Sequence, residues 1–374
     1  MASRATHSVL DTRSLNRATL ARQLLLGRGG MSAVDAVEHL IGLQAQNVKP
    51  PYFQLHARLA GFRTDELAGL MEERRVVRMV TMRSTLHTHT ARDAVALTPL
   101  VQGARDRELG HFRKGLAGVD LERLAARARA FVEEEPRTMA EIREETGREW
   151  PDADPQALSV AARCLLPLVQ VTPRGVWGRS GQVRLTTLDA WVPDVVEGHA
   201  AAGSAGAGVE GLVLRYLGAF GPASVKDMQV WAGVTRLREA FERLRPQLVV
   251  FRDGHGVELF DLPDAPRPDA DTPAPPRFLP EFDNLLLSHA DRTRVVPAAL
   301  KGRAWSGNQA YCTLLVDGFL GGLWRLGEDG VLTVELFGHV ADAVKELVVD
   351  EGERLIAGMA ADGRGCVRFG SIRG

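Results

Sequence analysis

Residues Gln44-Ala45-Gln46 place two carboxamides on either side of one small apolar residue. They sit where an amphipathic segment runs out, just before Asn47-Val48-Lys49-Pro50-Pro51. A carboxamide offers one acceptor oxygen and two N–H donors and has no proton to trade near neutral pH. Two such groups can hold and orient a water, pair with a polar edge such as that of a nucleobase, or close off backbone groups at a turn. They are too weak to be general bases, so any chemistry here is a chemistry of positioning. Local structure decides their relative direction. Two residues apart on a continuing helix they would point about 200° from each other; on an extended chain they share a face. Pro50-Pro51 disfavours a continuing helix, and an extended turn is expected.

Other polar residues cluster in two more segments. The stretch "VVRMVTMRSTLHTHT" (76–90) carries Arg78, Arg83, His87 and His89. These either contact an anionic ligand or form a solvated face with a histidine satisfied inside. His87 and His89 lack a third ligand at a recognised spacing, so no metal is expected, nor any cofactor. Lys49 is either a phosphate contact at a helix start or simply solvated; nothing marks it as a Schiff-base nucleophile. Glu281, Asp283, Asn284, His289, Asp291 and Arg292 form the third set. Asp283-Asn284 precedes Leu285-Leu286-Leu287, so this set is either a structural cap or the lining of a site. A glycine-rich phosphate loop is absent, and no Ser-His-Asp arrangement is legible.

These residues belong to a chain of 374 amino acids with net charge −1, 45% hydrophobic and 25% charged, the balance of an ordinary globular protein of two to four domains. A nucleic-acid binder with this balance must segregate its charge. Lysine occurs only at 49, 114, 226, 301 and 345, the remaining cations being arginine. Arginine suits bidentate phosphate contacts, but a base-composition bias gives the same excess, so no function follows. Cys164, Cys312 and Cys366 are too scattered for a disulfide framework or zinc knuckle and read as small buried hydrophobes. No apolar run reaches the roughly 20 residues of a membrane span. The N-terminal residues show no signal core, and a cytoplasmic location is expected.

The elements that must position the candidates repeat three times in pattern, not in sequence: helices, then two short strands. In the first unit, helices are expected over Leu15–Leu26, from a Ser32 cap through Ile41, and from Pro51 to about Leu59, with strands over 76–90. The second has an amphipathic helix from Leu121 to Val132, a Thr138-capped helix (Met139–Thr146) closing at Gly147, and a helix over Gln156–Leu166. A hairpin follows with its turn near Pro173-Arg174-Gly175. The third has Val209–Ala219, a Ser224-capped helix (Val225–Ala232) ended by Gly233, a Thr235-capped helix, and the hairpin "QLVVFRDGHGVELFDL". Residues 199–208 read as a flexible linker, and residues 263–276 as a proline-rich linker too polar to pack. Beyond them, strands at Thr313–Val316, Gly321–Trp324 and Val331–Leu336, a helix over Val340–Ala357 and a strand near Cys366–Phe369 are expected. The fold class is therefore α+β. Three tandem winged helix-turn-helix domains (9–118, 119–198 and 209–262) precede a C-terminal β-rich domain (277–374).

At this point the chain resembles a known family, the AlkZ-like winged-helix DNA glycosylases of bacteria. The resemblance spans nearly the whole chain. It rests on "GLQAQ" (42–46), "MRSTLHTHTARD" (82–93), "GPASVKDMQVWAGV" (221–234), "FLPEFDNLLLSHADRTRVV" (278–296) and "LLVDGFLGGLWRL" (314–326). The family pattern has glycine where Ser84 stands. The resemblance implies three winged helices curved around a channel for duplex DNA. It also implies excision of N7-alkylated purines, including unhooking of interstrand crosslinks, with Gln44 and Gln46 as the catalytic pair. DNA contacts are then expected from Asn47, Lys49, Arg78, Arg83, His87, His89, Asp283, Asn284, His289 and Arg292. The expected protein is a metal-free monomer acting in DNA repair or self-resistance to an alkylating natural product, with no membrane and no obligate protein partner.

Two amides suit that chemistry. Glycosidic cleavage passes through an oxocarbenium-like transition state that water attacks. A purine alkylated at N7 is already cationic and leaves as a neutral base, so no general acid is needed. What remains is to place a water, which a glutamine carbonyl can do. The competing expectation is a non-catalytic winged-helix regulator or damage sensor, since fold alone implies no chemistry.

Overall fold

The computed structural model describes residues 8–202, 208–360 and 362–372. Three times the chain runs through three helices into an antiparallel strand pair. The first set is Ala33–His39, Pro50–Arg58 and Thr64–Glu72 with strands Val76–Val80 and Leu86–Thr90. The second is Leu121–Glu134, Met139–Glu149 and Pro155–Leu165 with Leu168–Gln170 and Leu185–Thr187. The third is Val209–Phe220, Val225–Ala232 and Arg238–Leu244 with Val249–Asp253 and Glu258–Asp261. Local chemistry explains the starts and stops. Ser32, Thr138 and Ser224 each accept a hydrogen bond from the backbone N–H three residues on, satisfying an orphan donor of the first turn. Gly233 ends its helix at φ 69°, a left-handed position suited to glycine.

Several boundaries differ from expectation. The first helix is Thr12–Arg22, not Leu15–Leu26. The Thr138-capped helix runs through Gly147 to Glu149. Thr235 caps nothing, because the next helix starts at Arg238 after Leu237. The 21-residue helix Ala91–His111 has no counterpart in the sequence-based expectation; Pro99 in its interior is a residue that usually argues against a helix. Helix Pro193–Ala202 occupies the start of the stretch expected as a linker, and residues 203–207 lie outside the described residues. The 263–276 segment does pack: Arg13 Nε donates to Ala270 O at 2.8 Å and Arg17 Nε to Thr272 O at 2.6 Å. Side chains contribute too: Arg267 pairs with Asp261 at 2.7 Å, and Ala274 packs against a hydrophobic core. Among the cysteines, Cys164 is buried but Cys366 is exposed.

The units interlock. One five-stranded sheet has the order Leu43–Gln44, Leu86–Thr90, Val76–Val80, Leu168–Gln170, Leu185–Thr187, so strands of the second unit extend the sheet of the first. Strand Val9–Leu10 pairs parallel to Val249–Asp253 of the third. The C-terminal sheet has the order Cys366–Phe369, Val331–Leu336, Phe319–Leu326, Thr313–Val316, Arg277–Leu279, and helix Asp342–Met359 packs on it. Its apolar face shares one core with the first unit, where Leu43, Tyr52 and Phe53 meet Phe278, Leu314 and Trp324. The third unit's core takes in Ile41 and Met82 of the first. Burial of each large apolar side chain is worth about 1.5–3 kcal/mol, and these shared cores hold the 41–54 region from two sides. Among the described residues, no helix is long and apolar enough to cross a membrane.

Candidate active site

Gly42 opens the segment at φ 96°. A Cβ there would lie 2.2 Å from Nδ1 of His89, so only glycine lets the chain pass that ring. The next residues run extended: Leu43 pairs with Thr88, Gln44 with His87, and Ala45 N donates to Leu86 O at 2.8 Å. Gln44 is buried and Gln46 is exposed.

Both carboxamides turn their oxygens to the same hairpin. Gln44 Oε1 accepts from Arg83 Nη2 at 2.5 Å, and Gln46 Oε1 accepts from Leu86 N at 3.1 Å. A guanidinium and a backbone N–H can only donate, so these partners fix which end of each amide faces them. The NH₂ groups are left facing away from those donors, and each carbonyl keeps a second lone pair. For Gln46 part of its role is thereby structural.

Arg83 is itself held by the third unit. Arg83 and Ser84 take positive φ, 54° and 53°, at the hairpin turn, the left-handed region that glycine adopts most readily. The guanidinium donates to Trp231 O at the end of helix Val225–Ala232, where the helix dipole favours a cation. A Cβ at Gly233 would lie 2.9 Å from the Arg83 backbone, so the two units touch without room for a side chain. Burial, with Arg292 nearby, lowers the Arg83 pKa to about 10, which leaves it charged at neutral pH.

The C-terminal motif grips the same segment. Asn284 Nδ2 donates to Gly42 O at 2.7 Å, and its Oδ1 accepts from Gln44 N at 3.4 Å. Asp283 pairs with Arg58 through two 2.8 Å bonds; Arg58 also donates to Gln54 O at 3.1 Å, and Gln54 Nε2 donates to Gln44 O at 3.0 Å. Asn47 Nδ2 donates to Glu281 Oε1 at 2.8 Å. The second unit acts through Arg78, whose Nη2 donates to Ala45 O at 3.0 Å and whose side chain lies where a Cβ on Gly175 would be.

The expected DNA contacts therefore divide. Gln44, Gln46, Asn47, Arg83 and Asn284 converge. Asn47 and Lys49 are exposed. Lys49 precedes a helix whose first two residues are prolines and whose next two N–H groups already bond Lys49 O, so its side chain alone can meet a phosphate there. Arg292 is half-buried, 5.6 Å over the ring of Trp305.

Arg78, His87, His89, Asp283, Asn284 and His289 are all buried, which leaves them little surface to offer DNA. His87 Nδ1 lies 2.9 Å from Thr85 O, so it carries the proton, and Nε2 faces Arg83 Nη2 at 3.4 Å. Burial first, then Arg83, pushes the His87 pKa well down. His89 stacks on His87, their ring centroids 5.5 Å apart, and bonds Thr81 Oγ1 at 2.8 Å; burial lowers its pKa to about 4. His289 Nε2 lies 2.9 Å from Phe220 O, and burial with Arg294 lowers it to about 3. Among the described residues, no three His, Cys, Asp or Glu side chains group as metal ligands would.

Sequence reasoning gave no role to Gln54 or Arg58. Both look like polar residues on an exposed helix face, and only the fold turns them towards Asp283.

The two amides of this motif are held by residues from every unit of a mixed α/β fold, and among the described residues neither is hydrogen-bonded to a carboxylate. The family model of AlkZ-like DNA glycosylases matches residues 37–357, and the chain belongs to that family. Its fold is similar to that of Streptomyces sahachiroi DNA glycosylase AlkZ, with TM-score 0.77 and 18% identity over 97% of this chain and 100% of that one. No curated protein matches the sequence.

Proposed function

We propose that the protein is a monofunctional, metal-independent DNA glycosylase that excises N7-alkylated purines and unhooks interstrand crosslinks made through N7. It would act as a monomer in DNA repair or in self-resistance to an alkylating natural product. The three helix–hairpin units act as winged helices lining a channel for duplex DNA. The observation that carries this reading is the orientation of Gln44 and Gln46. Both carbonyl oxygens are held on the Arg83–Leu86 hairpin by donors, and each keeps a second lone pair that can accept from a water.

In the reaction, a water held by the pair attacks the anomeric carbon. The bond from that carbon to N9 breaks, its electrons neutralise the cationic base, and the water's proton passes to solvent. Neither amide gains or loses a proton, so only an already activated base leaves. A crosslinked base is tethered to the opposite strand and stays outside a closed pocket, which suits an open channel. Asn47, Lys49 and Arg292 meet the DNA, and Arg83 holds Gln44 in place. Arg78, His87, His89, Asp283, Asn284 and His289 support the site from beneath.

The test is a duplex carrying N7-methylguanine, incubated with protein and treated with alkali to reveal abasic sites. Cleavage by the wild type that falls by about 10²-fold or more in Gln44→Ala/Gln46→Ala supports the reading. Equal cleavage by both refutes the mechanism. Tight DNA binding with no base release identifies a non-catalytic binder instead.

A further inference from the structure

A cavity of about 480 Å³ opens directly beside the site, with Lys49 and Glu281 at its rim. It is tied to the glutamine segment through its rim, because Glu281 is the residue that Asn47 grips. The floor is apolar and aromatic: Phe53, Trp324, Leu326 and Met359. Trp324 is rigidly set, its ring 5.4 Å from Phe53 and 5.8 Å from Phe278. Its indole N–H is spent on Leu279 O at 2.9 Å and Thr313 O at 3.1 Å, leaving only apolar surface to offer an occupant. Among the described residues, Glu281 has both carboxylate oxygens engaged, one by Asn47 and the other by Cys312 at 3.2 Å. The rim is thus pre-organised, and the apolar floor shares the cavity with the charged side chains of Arg325 and Glu328.

We propose that this cavity is a subsite for the apolar, ring-bearing substituent of an N7-alkylated purine, so that the protein prefers bulky aromatic adducts over a methyl group. This rests on the N7-alkylpurine reading of the same site. The size fits, since small-molecule pockets run about 300–1,000 Å³, and a methyl group would leave the cavity essentially unfilled. The substituent would lie against Trp324 and Phe53, where burial of one aromatic ring is worth about 10- to 100-fold in affinity.

The experiment uses full-length protein and two duplexes, one with N7-methylguanine and one with N7-benzylguanine. Both carry a 2′-fluorine that slows base loss, so binding is read without turnover. Wild type is expected to bind the benzyl duplex about 10- to 100-fold more tightly. Ala360→Phe and, independently, Leu326→Trp fill the cavity from its wall; each is expected to abolish the preference while affinity for the methyl duplex stays within about twofold. Equal wild-type affinities, a preference that survives both fillings, or loss of both affinities in both variants would overturn the proposal. Base release from unfluorinated N7-methylguanine DNA separates the two readings. Release without benzyl preference sinks the subsite alone, and benzyl preference without release sinks the glycosylase reading alone.

Discussion

The guanidinium of Arg83 donates to Oε1 of Gln44 and, through its other nitrogen, to the carbonyl of Trp231. One side chain thus ties the first glutamine to the last turn of a helix in the third unit. The contact fixes the direction of the amide, because a guanidinium cannot accept. Among the described residues no carboxylate pairs with Arg83, whose guanidinium nitrogens are taken up by Gln44 and Trp231. Arg83 is therefore expected to orient Gln44 from the side, while the water and the sugar lie beyond the amide.

If Arg83 works by orienting Gln44, Arg83→Gln lowers kcat by about 10- to 100-fold and leaves KM and the salt dependence of binding nearly unchanged. A pure phosphate contact would instead weaken binding and reduce the salt slope by about one. Steady-state kinetics with binding measured over a range of salt tells the two apart.

Asn284 spans both ends of Gly42–Gln44, so Asn284→Ala strands the buried Gly42 carbonyl. A loss of about 1–3 kcal/mol of stability is expected. Asn284→Asp should be worse, since it turns a carboxylate oxygen towards that carbonyl. Urea unfolding midpoints rank the three proteins; an alanine variant as stable as wild type would refute the clamp.

Gly42→Ala forces a Cβ to within 2.2 Å of the His89 ring at φ 96°. A destabilisation of on the order of 2–3 kcal/mol is expected, with base release falling as well. At Gly30 a Cβ would meet nothing within 4 Å, and φ there is not positive. Gly30→Ala therefore serves as the control and should leave both melting temperature and activity unchanged.

Buried histidines make stability fall with acid. His56 and His89 are lowered to about 4 and His289 to about 3, in each case chiefly by burial, from an ordinary value of 6.5. Above pH 6.5 the folded and unfolded chains both hold them neutral and the full stability is present. As pH falls from 6.5 towards 4, the unfolded chain takes up protons that the folded chain refuses, and stability declines. The slope is on the order of 1 kcal/mol per histidine per pH unit. Unfolding midpoints between pH 7.5 and 4.5 check this, and a flat profile would contradict it. His289→Asn should flatten the slope by one histidine's share.

Much of the helix and strand order was legible because its signals are local. Ser32, Thr138 and Ser224 cap helices by reaching three residues ahead, and Gly233 stops one by its φ. The Val249–Asp261 hairpin announces itself by alternation around Asp253-Gly254. The sheet that joins Leu168–Gln170 to Val76–Val80 was not legible, since a strand edge carries no label for its distant partner. Nor was the packing of the 263–276 segment, which depends in part on backbone carbonyls meeting Arg13 and Arg17. Of the candidate site, the residue types at 44, 46, 83 and 284 stood out, but burial of His87, His89 and His289 did not. His89, flanked by threonines, reads the same on a wet face and inside a core.

By itself the sequence determined the chemistry available: two uncharged amides, a glycine before them, prolines after them, and no acid–base pair at that spacing. Those are properties of residue types and short-range sterics. Only the tertiary structure decided the direction of each amide and the identity of its supports. Arg83, Asn284, the Asp283–Arg58 pair and Glu281 lie up to 242 positions along the chain from the segment they hold. Their convergence depends on shared cores and one shared sheet, which form only when the whole chain is folded.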